Sequence, residues 1–268
     1  MAKRVESASS INTFLQCNRK YYYQYVEKLP TKPSIHTVRG NIAHSTLEEF
    51  YNLDFTNFTS ENYRKQFKLS MQKMFMEQWG KYKNELKGLN LTSQELAFYF
   101  EETLFMVLNW CEHFLSEFAV KFDGDIQKTF NLIKPLTEVE YSSEVYGIRG
   151  YVDAIKTVGN EVHILDYKTN ANSEVKDSIR LQLALYSILY QEKNGKFPDK
   201  LGVFFLRDKL IMMDVDLSLI EKAKKIILEL HEHTSKTDKV EDYKKIVTGL
   251  CKWHSGKCDF YEVCRPHG

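Results

Sequence analysis

Two carboxylates and a lysine near the middle of the chain have the residue types and the spacing of a centre that hydrolyses phosphodiesters. Asp166 and Lys168 are separated by one residue, and Asp153 precedes them in the neighbouring segment. Carboxylates bind Mg²⁺ or Mn²⁺ through hard oxygen ligands, and the cation lowers the pKa of a bound water. A lysine can orient that water or stabilise the charge that develops on a phosphate. An isolated D-x-K is more often an ordinary strand facing solvent, so the surrounding elements decide between the two interpretations.

The segments around these residues are predicted to be strands, because their apolar and polar residues alternate. Three successive strands are expected in LTEVEYSS, YGIRGYVDAIKTV and EVHILDYKT. Positions i and i+2 of a strand share a face, so Asp166 and Lys168 project together. A hairpin turn at Gly159-Asn160 then brings Asp153 beside them.

Helices are predicted on both sides of these strands. They comprise a helix capped by Ser7 and ended by Pro30, a helix near Thr37 that carries His44, long helices near 59–87 and 92–122, one in 175–195 and one from Leu217 to His233. Two further strands are expected at 201–206 and 209–217. The order indicates an α/β fold with a large N-terminal helical insertion before the sheet. The length of 268 residues favours a single domain.

Three short motifs occur in the order of a known family. They are G-Y-V-D at Gly150 to Asp153, L-D-Y-K at Leu165 to Lys168, and Q-L-A-L-Y at Gln182 to Tyr186. This series resembles the PD-(D/E)xK nuclease superfamily, and more narrowly its RecB-like branch with G-x-x-D, D-x-K and Q-x-x-x-Y. The resemblance implies a restriction-endonuclease-like core with a central mixed sheet flanked by helices. It divides the domain into an N-terminal helix (1–35), a helical layer (36–130), the core (131–235) and a cysteine segment (236–268).

The same resemblance implies roles for individual residues. Asp153, Asp166, Lys168, Gln182 and Tyr186 are the expected catalytic residues. A lone histidine on a helix is usually structural, but RecB-like nucleases carry a metal-binding histidine on an early helix, where this chain has His44 in RGNIAHSTLEEF. The expected ligands of Mg²⁺ or Mn²⁺ are therefore His44, Asp153, Asp166 and the backbone carbonyl of Tyr167. Glu140 is a further candidate for the centre, although Glu138 shares its strand face.

Three of the five cysteines, Cys251, Cys258 and Cys264, lie close together near the end of the chain, a clustering that favours metal ligation over disulfides. RecB-like exonucleases of CRISPR adaptation, and the nuclease domains of some helicase-nucleases, bind a 4Fe-4S cluster with one cysteine before the core and three after it. By that resemblance Cys17, Cys251, Cys258 and Cys264 hold the cluster. The family separates the first two C-terminal cysteines by two residues, whereas six separate them here. A local Zn²⁺ site of Cys251, His254, Cys258 and Cys264 is the alternative, and three unligated thiols are another.

The net charge of +1 excludes a globally basic nucleic-acid-binding protein, so any DNA site must be a local groove. Arg19 and Lys20 belong to a locally basic N-terminal segment, and we expect them to contact DNA together with Gln182 and Tyr186. Without a signal peptide or an apolar stretch long enough to span a bilayer, a cytoplasmic protein without membrane contact is expected.

The family resemblance predicts a metal-dependent DNA exonuclease acting on single-stranded ends. The alternative is a non-catalytic or weakly catalytic nucleic-acid-binding subunit that docks a protein partner in a CRISPR-adaptation or recombination complex. The intact Asp153, Asp166 and Lys168 argue against loss of activity.

Overall fold

A five-stranded mixed sheet lies at the centre of the computed structural model, which describes residues 4–254 and 256–266. Its strands, in spatial order, are β1 (Leu136–Ser143), β2 (Ile148–Val158), β3 (Glu161–Lys168), β4 (Lys200–Phe205) and β5 (Leu210–Asp214). Neighbouring strands are antiparallel except for β3 and β4, which are parallel. The predicted class, an α/β fold with a mixed sheet flanked by helices, is confirmed.

The parallel pair requires a crossover connection, and α8 (Asp177–Asn194) supplies it. This helix ends at Gly195, whose φ of +75° is a left-handed conformation that glycine adopts without steric cost. Apolar side chains of α8 pack against α9 (Leu217–Lys236) and α1 (Ala8–Gln16), which cover one face of the sheet. The crossover therefore presents its first turns to the end of β3, where Lys168 lies.

The opposite face of the sheet is covered by the N-terminal helical layer. It comprises α3 (Ile35–Phe50), α4 (Tyr63–Lys81), α5 (Lys83–Gly88), α6 (Ser93–Lys121) and α7 (Ile126–Ile133). An aromatic cluster that includes Phe50, Phe67 and Phe130 fills its interior, and the cluster continues onto Tyr167 of β3. Aromatic pairs add roughly 0.5–1.5 kcal/mol each beyond the burial of their area. The layer therefore fixes α3 against β3.

The helix expected between 59 and 87 is two helices in the structure. It begins at Tyr63 and is interrupted at Tyr82, between α4 and α5. The helix near Thr37 begins instead at Ile35, because the hydroxyl of Ser34 accepts a hydrogen bond from the Thr37 amide and caps it. Among the described residues, none of the helices is both long and apolar enough to cross a membrane.

The N-terminal helix differs from the single helix that the sequence predicts. Ser7 caps it as expected, but Cys17 is extended (φ −165°, ψ 111°) and separates α1 from α2 (Asn18–Tyr21), which a π-helical turn, Tyr22–Val26, prolongs. After this break the backbone amide of Arg19 donates to the carbonyl of Lys244, 3.0 Å away. Tertiary hydrogen bonds to the C-terminal segment thus accompany the interruption of the helix.

The described residues of the C-terminal segment form short elements. They are a 3₁₀ turn (Val240–Asp242), β6 (Lys252–Trp253) paired with β7 (Gly256–Lys257), and α10 (Tyr261–Cys264). This segment lies against α2, since both the amide and the guanidinium of Arg19 bond its backbone.

Candidate active site

The register of the sheet places the two aspartates opposite each other. Ala154 of β2 pairs with Leu165 of β3, so the next position along the antiparallel pair sets Asp153 across from Asp166. Opposite residues of antiparallel strands share a face, and Lys168 shares it too. Both carboxylates are buried, Asp153 with 8% and Asp166 with 1% of its surface exposed. The structure therefore brings together the three residues that the sequence predicts for the centre.

A chain of polar contacts holds Lys168. Its ammonium lies 2.7 Å from Asp166 Oδ2 and donates to Gln182 Oε1 at 2.8 Å. Gln182 Nε2 donates in turn to the hydroxyl of Tyr186 at 2.7 Å, one turn further along α8. The predicted pair on α8 thus contacts Lys168 through Gln182.

The glycine of the G-x-x-D motif, Gly150, is explained by the close approach of the Tyr186 ring. A Cβ at this position of β2 would lie 3.0 Å from Cε1 of Tyr186, closer than side chains normally approach. The absence of a side chain lets the Tyr186 ring pack directly on β2 and keeps its hydroxyl within reach of Gln182.

His44 extends the centre from α3. Its Nδ1 lies 3.2 Å from Asp153 Oδ1, and its Nε2 lies 3.1 Å from the carbonyl oxygen of Tyr167. The amide of Tyr167 donates to Asp153 Oδ2 at 2.6 Å. Three of the four predicted metal ligands, His44, Asp153 and the Tyr167 carbonyl, are therefore linked by direct contacts through His44, and Asp166 lies across the strand pair from Asp153. An imidazole, two carboxylates and a carbonyl are a donor set that suits Mg²⁺ or Mn²⁺.

The side chain of Tyr167 points away from this cluster into the helical layer. It is buried, and its ring lies edge-on to Trp110, with centroids 6.3 Å apart. Its hydroxyl is hydrogen-bonded to Tyr51 and Trp110. Because the side chain is held on one face of the sheet, the Tyr167 carbonyl is fixed beside His44.

Glu138, and not Glu140, is the acidic residue of β1 at the centre. Its neighbours Thr137 and Val139 pair with Ala154 and Val152, which places Glu138 across from Asp153. Among the described residues, the only three His, Cys, Asp or Glu side chains with ligand atoms mutually within 4.8 Å are His44, Glu138 and Asp153.

The interpretation that favoured Glu140 is wrong because Glu140 pairs with Tyr151, one pleat further from the aspartates, and hydrogen-bonds its side chain. Glu138 has a φ of +48°, a strained conformation for a residue with a side chain, of a kind that often marks functional sites. Alternation alone could not separate two glutamates on one strand face; the β1–β2 register was the missing signal.

Burial and the Asp153 carboxylate raise the pKa of two other acidic groups of the centre. Burial raises the pKa of Asp166 to about 6, opposed by Lys168 and reinforced by Asp153. Burial and the Asp153 carboxylate raise the pKa of Glu138 to about 7. For His44, burial lowers the pKa but Asp153 more than offsets it, and the result is about 9. The centre thus gathers negative charge that a divalent cation would neutralise.

The four predicted cluster cysteines line one pocket. Cys17 comes from the break between α1 and α2, and Cys251, Cys258 and Cys264 come from the C-terminal segment. The amide of Cys258 donates to the carbonyl of Cys251 at 3.0 Å. Burial raises the pKa of Cys264, and Cys17 and Cys258 add to the effect. The fifth cysteine, Cys111, is buried in the helical layer, where burial raises its pKa to about 12.

His254 is exposed and does not line this pocket. Tetrahedral Zn²⁺ with Zn–S bonds near 2.3 Å holds its sulfur ligands about 3.8 Å apart. In the described part of the chain, no three ligand atoms of the cysteines and His254 come within 4.8 Å of one another. The sulfurs are therefore spaced more widely than a closed zinc site requires.

Arg19 and Lys20 lie beside the cysteine pocket and away from the carboxylates. Arg19 Nε donates to the carbonyl of Tyr243 at 2.8 Å, while Lys20 lines the pocket and donates to Gln16 Oε1 at 3.3 Å. Arg19 thus joins two segments of the chain. Contact of either residue with DNA stays a prediction.

Comparison with known proteins agrees with this geometry. Residues 6–265 match the family model of the PD-(D/E)XK nuclease superfamily. A crystal structure described as that of a candidate exonuclease from Eubacterium rectale is similar over 98% of this chain and 93% of that chain, with a TM-score of 0.50 and 11% identity, which shows a common fold. The comparison with curated proteins found no match. Since the family match spans nearly the whole chain, the chain belongs to the PD-(D/E)XK superfamily of metal-dependent nucleases.

Proposed function

We propose that this protein is a Mg²⁺- or Mn²⁺-dependent DNA exonuclease that hydrolyses phosphodiester bonds at single-stranded ends. The observation that carries the proposal is the contact of His44 with both Asp153 and the Tyr167 carbonyl, with Asp166 across from Asp153 and Lys168 beside Asp166. The description of the Eubacterium rectale protein supports exonucleolytic action. The preference for single-stranded ends rests on the resemblance to RecB-like nucleases.

The residues of the centre have different roles in the proposed reaction. The imidazole of His44, the carboxylates of Asp153 and Asp166 and the Tyr167 carbonyl would hold the cation, which supplies a water of lowered pKa and neutralises phosphate charge. Glu138 lies within reach of the same position. Lys168, oriented by Gln182, places a positive charge where the charge on the phosphate develops.

A cavity of about 460 Å³ gives the substrate access to this centre. His44 and Glu138 line it, and Gly40, Glu48 and Tyr82 are among its other lining residues. It is polar and open to solvent between α3 and β1, as a passage for a phosphodiester backbone needs to be. The side chain of Tyr82 is suited to stack on a base in a sequence-tolerant way.

The test is a time course on end-labelled single-stranded and duplex DNA with Mg²⁺, Mn²⁺ or EDTA. Wild type should shorten the labelled strand only with a divalent cation, and Asp166→Ala should not. Asp214→Ala is the matched control, because this aspartate is 87% exposed at the end of β5 and should leave cleavage unchanged. Absence of cleavage under every condition would contradict the proposal, and equal cleavage by Asp166→Ala would contradict the site.

The four cysteines of the pocket are the proposed ligands of a structural 4Fe-4S cluster. Support comes from their convergence from distant parts of the chain and from sulfur spacings wider than a zinc site needs. Thiolates on such a cluster are separated by the width of the cluster itself. The cluster would join the N-terminal helices to the C-terminal segment and leave catalysis to the divalent cation.

Cys17 distinguishes the cluster from the zinc alternative, since only the cluster uses it. Anaerobically purified Cys17→Ser should lose iron, sulfide and visible absorption, whereas Cys111→Ala should keep them. Stoichiometric zinc that persists in Cys17→Ser would instead indicate the site of Cys251, His254, Cys258 and Cys264.

A further inference from the structure

Between Cys251 and Cys258, the short strands β6 (Lys252–Trp253) and β7 (Gly256–Lys257) pair as a β-hairpin beside the cysteine pocket. Lys252 pairs with Lys257 and Trp253 pairs with Gly256. The hydrogen bond from the Cys258 amide to the Cys251 carbonyl closes the base of the hairpin. Because both cysteines line the pocket, the hairpin is anchored at its base, while Lys252, Trp253 and Lys257 are exposed.

Trp253 is held flat on the hairpin. A Cβ at Gly256 would lie 2.9 Å from Cζ2 and 3.0 Å from Cε2 of the indole, so the ring rests directly on the glycine backbone. Even so, 48% of the Trp253 surface remains exposed, whereas Trp110 is buried and Trp79 half-buried. One face of the indole is therefore covered and oriented, and the remainder is open to a ligand.

The segment that carries this ring is rich in lysine. Residues 244–257 contain four lysines and neither aspartate nor glutamate, in a chain whose net charge is only +1. Lys252 and Lys257 face each other across the hairpin, an arrangement that repulsion destabilises. Lys257 forms an ion pair with Glu262, while within the described residues no carboxylate forms an ion pair with Lys252. An anion bound between the two lysines would relieve this repulsion.

We infer that the β6–β7 hairpin binds single-stranded nucleic acid, with a base stacked on Trp253 and phosphates contacting Lys252 and Lys257. The inference rests on the proposed nuclease function and names a second contact for its substrate. Stacking on an exposed ring requires a base whose face is free, and in a duplex both faces are already stacked. The combination of an oriented ring with lysines therefore favours a single strand over a duplex or an acidic protein surface.

The helix α1 connects the hairpin to the catalytic centre. At one end, Gln16 lines the cysteine pocket together with Cys251 and Cys258. Nearer its beginning, Asn12 Nδ2 donates to the carbonyl of Ser178, 3.2 Å away and one turn before Gln182 on α8. The helix α1 therefore spans the distance between the first turns of α8 and the cysteines at the base of the hairpin.

The test measures the affinity of the intact protein for a fluorescein-labelled oligothymidylate of about 20 nucleotides, longer than the roughly 4–16 nucleotides that one single-strand-binding fold covers. No divalent cation is added, so the probe is not cleaved. Trp253→Ala should weaken binding by about 5- to 100-fold, the loss expected for one stacked base. Trp253→Phe should retain most of the affinity, because its ring can still stack.

Two further variants separate stacking from charge and from general disturbance. Lys252→Glu should lower the dependence of log affinity on log salt concentration by about 0.7, the value for one phosphate contact on a single strand. Val263→Ala removes a similarly exposed apolar side chain from α10, outside the hairpin, and should change nothing. If Trp253→Ala, Trp253→Phe and Lys252→Glu all bind the oligothymidylate as wild type does, the hairpin is not the binding site.

A short substrate distinguishes failure of this inference from failure of the nuclease proposal. Hydrolysis of a p-nitrophenyl ester of thymidine monophosphate needs only the catalytic centre, so Trp253→Ala should hydrolyse it as fast as wild type and digest long single strands more slowly. If Trp253→Ala and wild type digest long single strands equally fast, the hairpin does not bind the substrate, and the nuclease proposal is unaffected. If wild type cleaves neither substrate, the nuclease proposal fails, and the affinity measurement still decides the hairpin.

Discussion

The catalytic centre and the cysteine pocket are assembled in opposite ways. The aspartates and Lys168 come from adjacent strands with dense backbone pairing, and buried side chains surround them. The cysteines come from positions 17 and 251–264, on short, partly exposed elements. Regular pairing fixes the first site without a cation, whereas the second would depend on the proposed cluster to hold two distant segments together. Loss of a ligand should therefore remove chemistry at one site and stability at the other.

Lys168→Ala should give the largest effect. Removing the charge that faces the developing phosphate charge should slow cleavage by about 10³-fold or more, while folding and DNA binding persist. The measurement is the single-turnover rate on end-labelled DNA, with the melting temperature of the same preparation. Lys209→Ala, an exposed lysine in the β4–β5 turn, is the control. A cleavage rate within a few-fold of wild type would contradict the assignment of Lys168.

The affinity of the catalytic centre for Mn²⁺ should rise steeply with pH. His44, Glu138 and Asp166, with pKa values of about 9, 7 and 6, hold protons that the cation must displace. At a pH below the pKa of a ligand, the affinity for the cation rises about tenfold for each unit by which the pH increases, because one proton must leave. Between pH 6 and pH 8 the affinity should therefore rise by about 100-fold or more. Calorimetric titration of wild type and Asp166→Ala at both pH values measures this. Affinity independent of pH would show that these groups do not bind the cation.

Cys258→Ser should lower stability more than any substitution at the catalytic centre. Opening the cysteine site releases the C-terminal segment from α1 and α2, and the melting temperature should fall by about 5–10 °C, corresponding to roughly 2–3 kcal/mol for a domain of this size. Cleavage per folded molecule should change little. The measurement is the melting temperature of Cys258→Ser, compared with those of Lys168→Ala and wild type. Equal melting temperatures for Cys258→Ser and wild type would show that the pocket holds no structural group.

Glu138→Gln should weaken the binding of the divalent cation by about tenfold, an estimate for losing one charged ligand of a partly solvated site. Glu140→Gln is the matched control, because the same change on the same strand lies beside Tyr151 and away from the cluster. The readout is the Mn²⁺ concentration that gives half-maximal cleavage. Equal shifts in the two variants would remove Glu138 from the set of ligands.

Gly150→Ala should give the smallest effect. The added methyl group would meet the Tyr186 ring at 3.0 Å, so the ring must move by a few tenths of an ångström. We expect a loss of about 1–2 kcal/mol in the free energy of unfolding. Cleavage should be a few-fold slower, because the Tyr186 hydroxyl positions Gln182, which in turn orients Lys168. Gly88→Ala, which meets nothing within 4 Å, is the control. Unchanged cleavage with lowered stability would limit Gly150 to a packing role.

The strands and the placement of Asp153, Asp166 and Lys168 could be predicted from sequence, because alternation and a short hairpin determine which side chains share a face. The placement of His44 beside them was expected only from the resemblance to RecB-like nucleases. Glu138 could not be separated from Glu140, since the choice depends on strand register. The break at Cys17 was also missed, because hydrogen bonds between Arg19 and the distant C-terminal segment accompany it. Local propensity carries no information on such contacts.

The amide of Tyr167 makes the catalytic centre observable without any substrate. Its N–H is donated to the carboxylate of Asp153, and its own carbonyl faces His44. A cation bound between these groups would withdraw electron density from both sides of one residue. In a ¹⁵N-labelled sample, the amide resonance of Tyr167 should therefore shift when the cation site is filled. Slower hydrogen exchange of the same amide should distinguish a cation bound at the site from cations that only screen the surface.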